Sequence, residues 1–356
     1  VRDGLDLRRV MRCLVAAVLP CALVGVANVG RQAFLGARLE GLATIPGWRG
    51  ELLRALGLGI APESLIDCAA HGLTFAVPIL AVSFGVGWAV ERGVARLRER
   101  EPSEVFPVVA LLLALMLPPT LPLWQVALGI AFALVVGLEI FGGTGRNVVH
   151  PALVGLAFLY FAYPASFAGE GVWVALPGAQ ATRLLGAVAQ DGPAALGALG
   201  IGWRDTVMGW EPGALGETSA LACLLGGAFL VATGLASWRV ILGGVAGLVA
   251  TVALANTFGD PARPLVGLPW YWHLTTGSFA FGLVFVATDP VTSATTAAGR
   301  WAYGVLIGFL VAVVRIFNPA HPEGVLMAIL LGNVLAPLLD HVVSFTHVRR
   351  RRRRLG

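Results

Sequence analysis

Apolar residues run through this chain in long blocks, and the breaks between blocks carry most of its arginine, glycine and proline. A helix that crosses the hydrocarbon of a bilayer needs about 20 mostly apolar residues. By that measure ten stretches qualify, running approximately Val10–Phe34, Ser64–Val90, Val105–Leu121, Leu123–Ile140, Ala152–Phe167, Ser219–Ala236, Val240–Asn256, His273–Ala287, Trp301–Phe317 and Gly324–Val343. Backbone N–H and C=O groups cannot stay bare in lipid, so these stretches are predicted as helices, with glycine and proline tolerated where neighbouring helices cover them. The pattern predicts an all-α integral membrane protein of about ten transmembrane helices, with no soluble domain of appreciable size.

Composition agrees. Hydrophobic residues make up 57% of the 356 positions and charged residues 13%, against roughly 25% charged in soluble domains. Every one of the 25 basic residues is arginine. Ten crossings put both termini on one side, and the arginines are distributed accordingly. Arg2, Arg8, Arg9 and Arg12 precede the first stretch, Arg92, Arg96, Arg98 and Arg100 follow the second, Arg146, Arg239 and Arg300 lie in later exits on the same side, and Arg349 to Arg354 close the chain. The positive-inside rule makes that face cytoplasmic. The net charge of +5 therefore reads as membrane orientation, and no basic stripe interleaved with aromatics supports nucleic-acid binding. Cys13, Cys21, Cys68 and Cys223 show no CxxC spacing and read as buried thiols, not as ligands of a metal or iron–sulfur centre. No cleavable signal peptide is evident, and Val1 opens directly on a charged stretch, as if the N-terminus were shortened.

Two outer connections are long enough to hold structure. The second, from Gly169 to Glu217, ends in Pro212-Gly213-Ala214-Leu215-Gly216-Glu217-Thr218-Ser219 at the mouth of the sixth stretch. Asn147-Val148-Val149-His150-Pro151-Ala152-Leu153 is echoed by Asn318-Pro319-Ala320-His321-Pro322-Glu323-Gly324, and Leu117 to Pro122 has a counterpart in Ala287 to Thr292. Five helices per half is an odd number, so related halves must face opposite sides, an inverted repeat of the kind that places broken helices and binding sites near the mid-membrane. The expected division is 1–168 for the first repeat, 169–217 for a periplasmic loop, 218–346 for the second repeat and 347–356 for a basic cytoplasmic tail.

Ionisable residues in apolar segments usually face a cavity or a partner. Asp67, Glu139, Asp289 and Asp340 are of this kind, with Arg315 and His341 near two further helix ends. Glu139, Asp289 and Asp340 read either as carboxylates on a cation path or as interfacial groups that cap a helix or pair with arginine. The glycines of Phe141-Gly142-Gly143-Thr144-Gly145-Arg146-Asn147 allow close backbone approach to a ligand, and Arg146 offers a cation for a phosphate or quinone oxygen; a tight turn needs the same glycines. The run is neither a Walker loop nor a dinucleotide fingerprint. Thr292-Ser293-Ala294-Thr295-Thr296 lines a polar site or caps the ninth helix. No hydrolase or kinase constellation is present, so no catalytic side chain is assigned and redox chemistry would come from a cofactor.

The ordered set Arg2-Asp3-Gly4-Leu5-Asp6-Leu7-Arg8-Arg9, Phe141 to Asn147, Pro151-Ala152-Leu153-Val154-Gly155, Leu215-Gly216-Glu217-Thr218-Ser219, Pro269-Trp270-Tyr271-Trp272-His273, Ala287-Thr288-Asp289-Pro290-Val291 and Ala336-Pro337-Leu338-Leu339-Asp340-His341 resembles the B subunit of the sodium-translocating NADH:quinone oxidoreductases. His150, where that family has asparagine, is a departure. The resemblance implies a place in a bacterial inner-membrane redox pump, beside A, C, D, E and F subunits, that moves Na+ as electrons pass from NADH to ubiquinone. It also implies riboflavin, and an FMN joined through its phosphate to Thr218, flanked by Glu217 and Ser219. A quinone site is implied around Glu139, Gly142, Gly143 and Arg146, with Glu139, Asp289 and Asp340 as sodium-path candidates. The alternatives are the D subunit of an Rnf ferredoxin:NAD oxidoreductase and a secondary transporter without redox chemistry.

Overall fold

The computed structural model describes residues 7–168, 172–176, 183–260, 262–318 and 323–355, and among these every regular element is helical. All ten apolar stretches contain helix. α1 is Leu7–Leu39, α2 Leu65–Leu97, α3 Phe106–Met116, α4 Leu123–Leu134 and α5 Pro151–Ala162. α6 is Ala220–Ala232, α7 Trp238–Phe258, α9 Ala297–Phe317 and α10 Val325–Leu355. Between α7 and α9, α8 is broken into Trp270–Thr275 and Phe279–Phe281. α4 and α8 both finish in wide π turns, Val135–Glu139 and Gly282–Val286.

Five helices, α1, α2, α7, α9 and α10, are long and apolar enough to cross a membrane. The others are shorter than expected. α3 has 11 residues, about 17 Å at 1.5 Å per residue, against a hydrocarbon core of about 30 Å. The reason lies in the chain that meets it. α3 stops at Leu117, before Pro118 and Pro119, and its last carbonyls are satisfied from outside: Leu215 N–H donates to Leu117 O at 3.2 Å and Gly216 N–H to Leu115 O at 2.8 Å. The extended segment before α6 thus completes the shortened span, as backbone buried at membrane depth requires.

Helix adjacency repeats at an offset of five. α2 packs on α4 as α7 packs on α9, α4 on α5 as α9 on α10, and α1 on α3 as α6 on α8; α1 also runs along α2 and, across the halves, along α6. Small residues set the closest approaches. A Cβ on Gly308 would run into the Gly244 carbonyl, and one on Gly247 into that of Val305, so α7 and α9 meet backbone to backbone. Gly30 and Gly72 do the same between α1 and α2.

Loops fall into two sets. Arg8 pairs with Glu104 at 2.9 Å and Asp340 bonds Thr295 and Thr296 on the arginine-rich side; Arg38 pairs with Glu63 at 2.9 Å and Arg183 with Glu323 at 2.9 Å on the other. Among the described residues no ion pair joins one set to the other. The long outer loop holds short helices at Leu184–Asp191, Ala194–Leu199 and Trp203–Met208, whose apolar side chains form a second small core with Leu265, Leu268 and Trp272. Of the proposed sequence echo in the second half, 319–322 lies outside the described residues.

Candidate functional site

On the arginine-rich side, the π turn that ends α4 carries Glu139 into a buried position, 3% exposed. Its carboxylate meets Arg100 Nη2 at 2.6 Å and Arg98 Nη1 at 3.2 Å, and Arg100 also reaches Glu91 at 3.0 Å. Glu91 is itself buried on α2 and accepts from Ser103 N–H at 2.6 Å. The polypeptide then turns through Gly142, Gly143 and Gly145 at φ 105°, 91° and 83°, backbone angles that side chains disfavour. Arg146 folds back so that its Cδ lies against Gly142.

Beside this turn is a chamber of about 210 Å³ between α1, α3, α6 and the tail of α8. Its walls are apolar, from Leu14, Val108 and Phe285 among others, with Asn147, His150, Thr288 and Asp289 as polar points. Leu138, Thr144 and Gly145 line it, whereas Glu139, Gly142, Gly143 and Arg146 form the neighbouring turn. Asp289 alone of the three sodium-path candidates faces this chamber; its Oδ2 accepts from Thr292 N–H at 3.1 Å and Oγ1 at 2.9 Å. Asp340 is taken up by four donors: the Thr295 N–H and hydroxyl at 2.7 and 2.8 Å, and the Thr296 N–H and hydroxyl at 3.0 and 2.5 Å. Thr296 also caps α9, accepting from Gly299 N–H at 3.1 Å, so the threonine run both caps a helix and fastens α10.

On the opposite side, Ser219 is the N-cap of α6 and accepts from Ala222 N–H at 3.2 Å. Glu217 and Thr218 are buried in front of it. Glu217 Oε2 pairs with Arg183 Nη2 at 3.0 Å, and Arg183 Nη1 pairs with Glu323 at 2.9 Å. The guanidinium lies 3.8 Å from the Trp173 ring centroid. Glu211 and Glu323 line the same small chamber as Arg183, Glu217 and Thr218. Burial pushes the Glu211 carboxyl up to about 8, with Glu323 adding and Arg183 opposing; burial pushes Glu217 up to about 7, with Arg183 opposing. Burial acts to lower the Arg183 guanidinium, but Glu323 and Glu217 together hold it above its ordinary value.

Thr218 can be tested as an attachment point. Its hydroxyl has no hydrogen-bond partner and stands before a helix N-terminus, a setting that favours a phosphate. The space does not fit. The side chain is 3% exposed, Gly213 packs so that a Cβ there would lie 2.7 Å from Thr218 Cγ2, and the adjoining chamber is about 10 Å³, the volume of one water. With the outer loop closed in this way, the site does not accommodate a phosphodiester with its flavin ring. Sequence reasoning reached Glu217, Thr218 and Ser219 but not Arg183, Glu211, Glu323 or Glu91. Glu91 carried a signal, an acidic residue inside an apolar run; the other three come from separate loops and carried none.

Comparison with known proteins fits this architecture. The chain is 46% identical over 353 residues to the B subunit of the Na(+)-translocating NADH-quinone reductase of Azotobacter vinelandii, covering 99% of this chain and 87% of that protein. It is 45% identical over 358 residues to the subunit of the same name from Pseudomonas aeruginosa, covering 100% and 89%. With the corresponding B subunit of Chromohalobacter salexigens the identity is 44% over 354 residues, covering 99% and 86%. The NQR2, RnfD, RnfE family profile matches residues 1–349, and the chain belongs to that family.

Proposed function

We propose that this chain is the membrane-embedded B subunit of a sodium-translocating NADH:quinone reductase, working with partner subunits that deliver electrons from NADH while ubiquinone is reduced. The observation that carries this reading is identity of 44–46% to subunits of that name over almost the whole chain. An Rnf-type role is not favoured, since the curated relatives quoted above are all quinone-reductase subunits. In this reading the bacterial inner membrane holds the protein, with the arginine-rich face and both termini in the cytoplasm.

The chamber of about 210 Å³ supports a place for a flat, mainly apolar ring system, the shape shared by a quinone headgroup and riboflavin. Its walls are apolar and its few polar groups are placed to fix orientation. Asn147, His150 and Asp289 would address the ring oxygens, with the Glu139 to Arg146 turn as one rim. Glu139, clamped by Arg98 and Arg100, holds that rim in place, and Asp289 is the carboxylate best placed to meet a sodium ion entering there. When bound, a flavin or quinone supplies the electron-accepting chemistry; the protein supplies a dry pocket, orientation and fixed charge. The halves related at an offset of five support the inverted-repeat division at residues 168 and 218. Covalent FMN on Thr218 would require the outer loop to open, because the closed site has no room for it.

The test is replacement of the B subunit in a complete complex. Membrane vesicles lacking the subunit should lose NADH-driven quinone reduction and sodium uptake, and this chain, supplied with its own partner subunits, should restore both. Restored assembly with no quinone reduction would refute the proposal. In the same preparation, yellow fluorescence of the denatured chain reads the state of Thr218: a dark band accords with the closed loop, and a fluorescent one shows that the loop opens for attachment.

A further inference from the structure

The small chamber on the outer face contains features that neither packing nor ion pairing uses. Three carboxylates, Glu211, Glu217 and Glu323, are gathered with two guanidiniums, Arg183 and Arg315. Two of the carboxylates are neutralised. Glu217 pairs with Arg183 and sits before the N-terminus of α6, where the helix dipole favours negative charge. Glu323 pairs with the other end of Arg183 and accepts from the Ser278 N–H at 3.2 Å and hydroxyl at 3.3 Å. Arg315 is spent on carbonyls, donating to His273 O at 2.6 Å, Thr276 O at 3.1 Å and Glu323 O at 3.2 Å.

Glu211 is the carboxylate left over. It is 3% exposed, and its Oε2 has no hydrogen-bond partner among the described residues. The Thr218 hydroxyl, also on a side chain 3% exposed, has none either, and both line the same chamber of about 10 Å³. Buried polar atoms are rarely left unpaired, and each exception calls for a ligand or a water. Here the two orphans are oxygens, one of them on the carboxylate in excess, and the space admits a single small species. Among the described residues no trio of acidic, histidine or cysteine side chains converges tightly enough to cage a metal ion. That sparse donor set suits a weakly held monovalent ion and not a divalent one, which demands several carboxylates.

We propose that this chamber binds one monovalent cation of sodium's size, held by the Glu211 carboxylate and the Thr218 hydroxyl, on the outer face of the membrane. The assignment rests on the sodium-pump reading for its physiological ion. It makes the chamber an exit-side station, far from the inner-face carboxylates Asp289 and Asp340. An intramembrane or interfacial carboxylate without a partner is the usual mark of an ion pathway, and irregular backbone beside a broken helix such as α8 is its usual setting.

The experiment uses the assembled complex, purified in choline buffer and titrated with radiolabelled sodium by equilibrium dialysis, with sodium-dependent quinone reduction followed in parallel. Glu211→Gln should weaken one sodium site by about tenfold or more, and Thr218→Val, which removes one oxygen at nearly constant volume, should weaken the same site by a smaller factor. Glu211→Asp should recover part of the loss. Sodium binding of unchanged number and affinity in an assembled Glu211→Gln complex overturns the proposal and leaves the chamber to one water. Should Glu211→Gln fail to assemble, unchanged binding in Thr218→Val decides the matter against it in the same way. A wild-type complex whose turnover ignores sodium, while the Glu211-dependent ion still binds, refutes the pump reading and supports the site.

Discussion

Burial of a carboxylate has a measurable signature in Glu211. An ordinary glutamate loses its proton near 4.5, whereas the folded protein holds this one to about 8. Between those values the unfolded chain ionises and the folded chain does not, so the native state binds the extra proton and stability falls as pH rises. The stabilising contribution is complete below about 4.5 and gone above about 8. In sodium-free buffer the melting temperature of the complex should therefore decline from pH 5 to pH 8, and Glu211→Gln should flatten that decline; equal slopes would show that Glu211 is not the proton-holding group. At this scale sequence reading was partly successful. Glu139, Asp289 and Asp340 stood out as charges inside apolar runs. Their partners did not, because Arg98 and Arg100 lie roughly 40 residues from Glu139 and the threonines 44 and 45 residues from Asp340. The outer cluster was still less visible, since Arg183, Glu211, Glu217 and Glu323 come from separate stretches of loop that only the folded bundle brings together.

Among the elements, the glycine faces carry the packing. Lipid offers apolar helices no hydrophobic reason to associate, so close backbone approach through small residues becomes the main source of attraction. Gly308 on α9 is pressed against Gly244 and Leu248 of α7. Gly308→Ala should lower the stability of the solubilised complex by about 1–3 kcal/mol through overpacking, read as a fall in melting temperature. Gly85→Ala on α2, where a Cβ would meet nothing within 4 Å, is the comparison and should be neutral or mildly stabilising, because alanine is the better helix former. If the two variants melt alike, the close crossing does not hold these helices together. Helix positions were legible because ten apolar runs were separated by arginine and proline. The shortness of α3 was not, because the amides that finish it belong to Leu215 and Gly216, far along the chain in the segment before α6.

For the molecule as a whole, the division of loops into two faces makes a direct prediction. Leu39 and Leu97 are both highly exposed, 89% and 86%, at the far ends of α1 and α2, where the arginine distribution puts them on opposite sides. In a background without Cys13, Cys21, Cys68 and Cys223, a membrane-impermeant maleimide added to intact cells lacking a permeability barrier outside the inner membrane should label Leu39→Cys. Leu97→Cys should react only after the membrane is opened. The reverse pattern would invert the topology and place the outer cation chamber in the cytoplasm.

The wide turn at Val135–Glu139 fixes an angular phase. Each residue of an ordinary helix advances by about 100°, so an insertion or loss of one position upstream of Glu139 swings everything after it to another azimuth. With the extra residue in place, the carboxylate lands between two guanidiniums and the glycine hairpin starts in line with the rim of the apolar pocket. Tightened to a regular spiral, the same letters would aim that acid away from Arg98 and Arg100, and the pocket would lose its rim without any side chain having been changed.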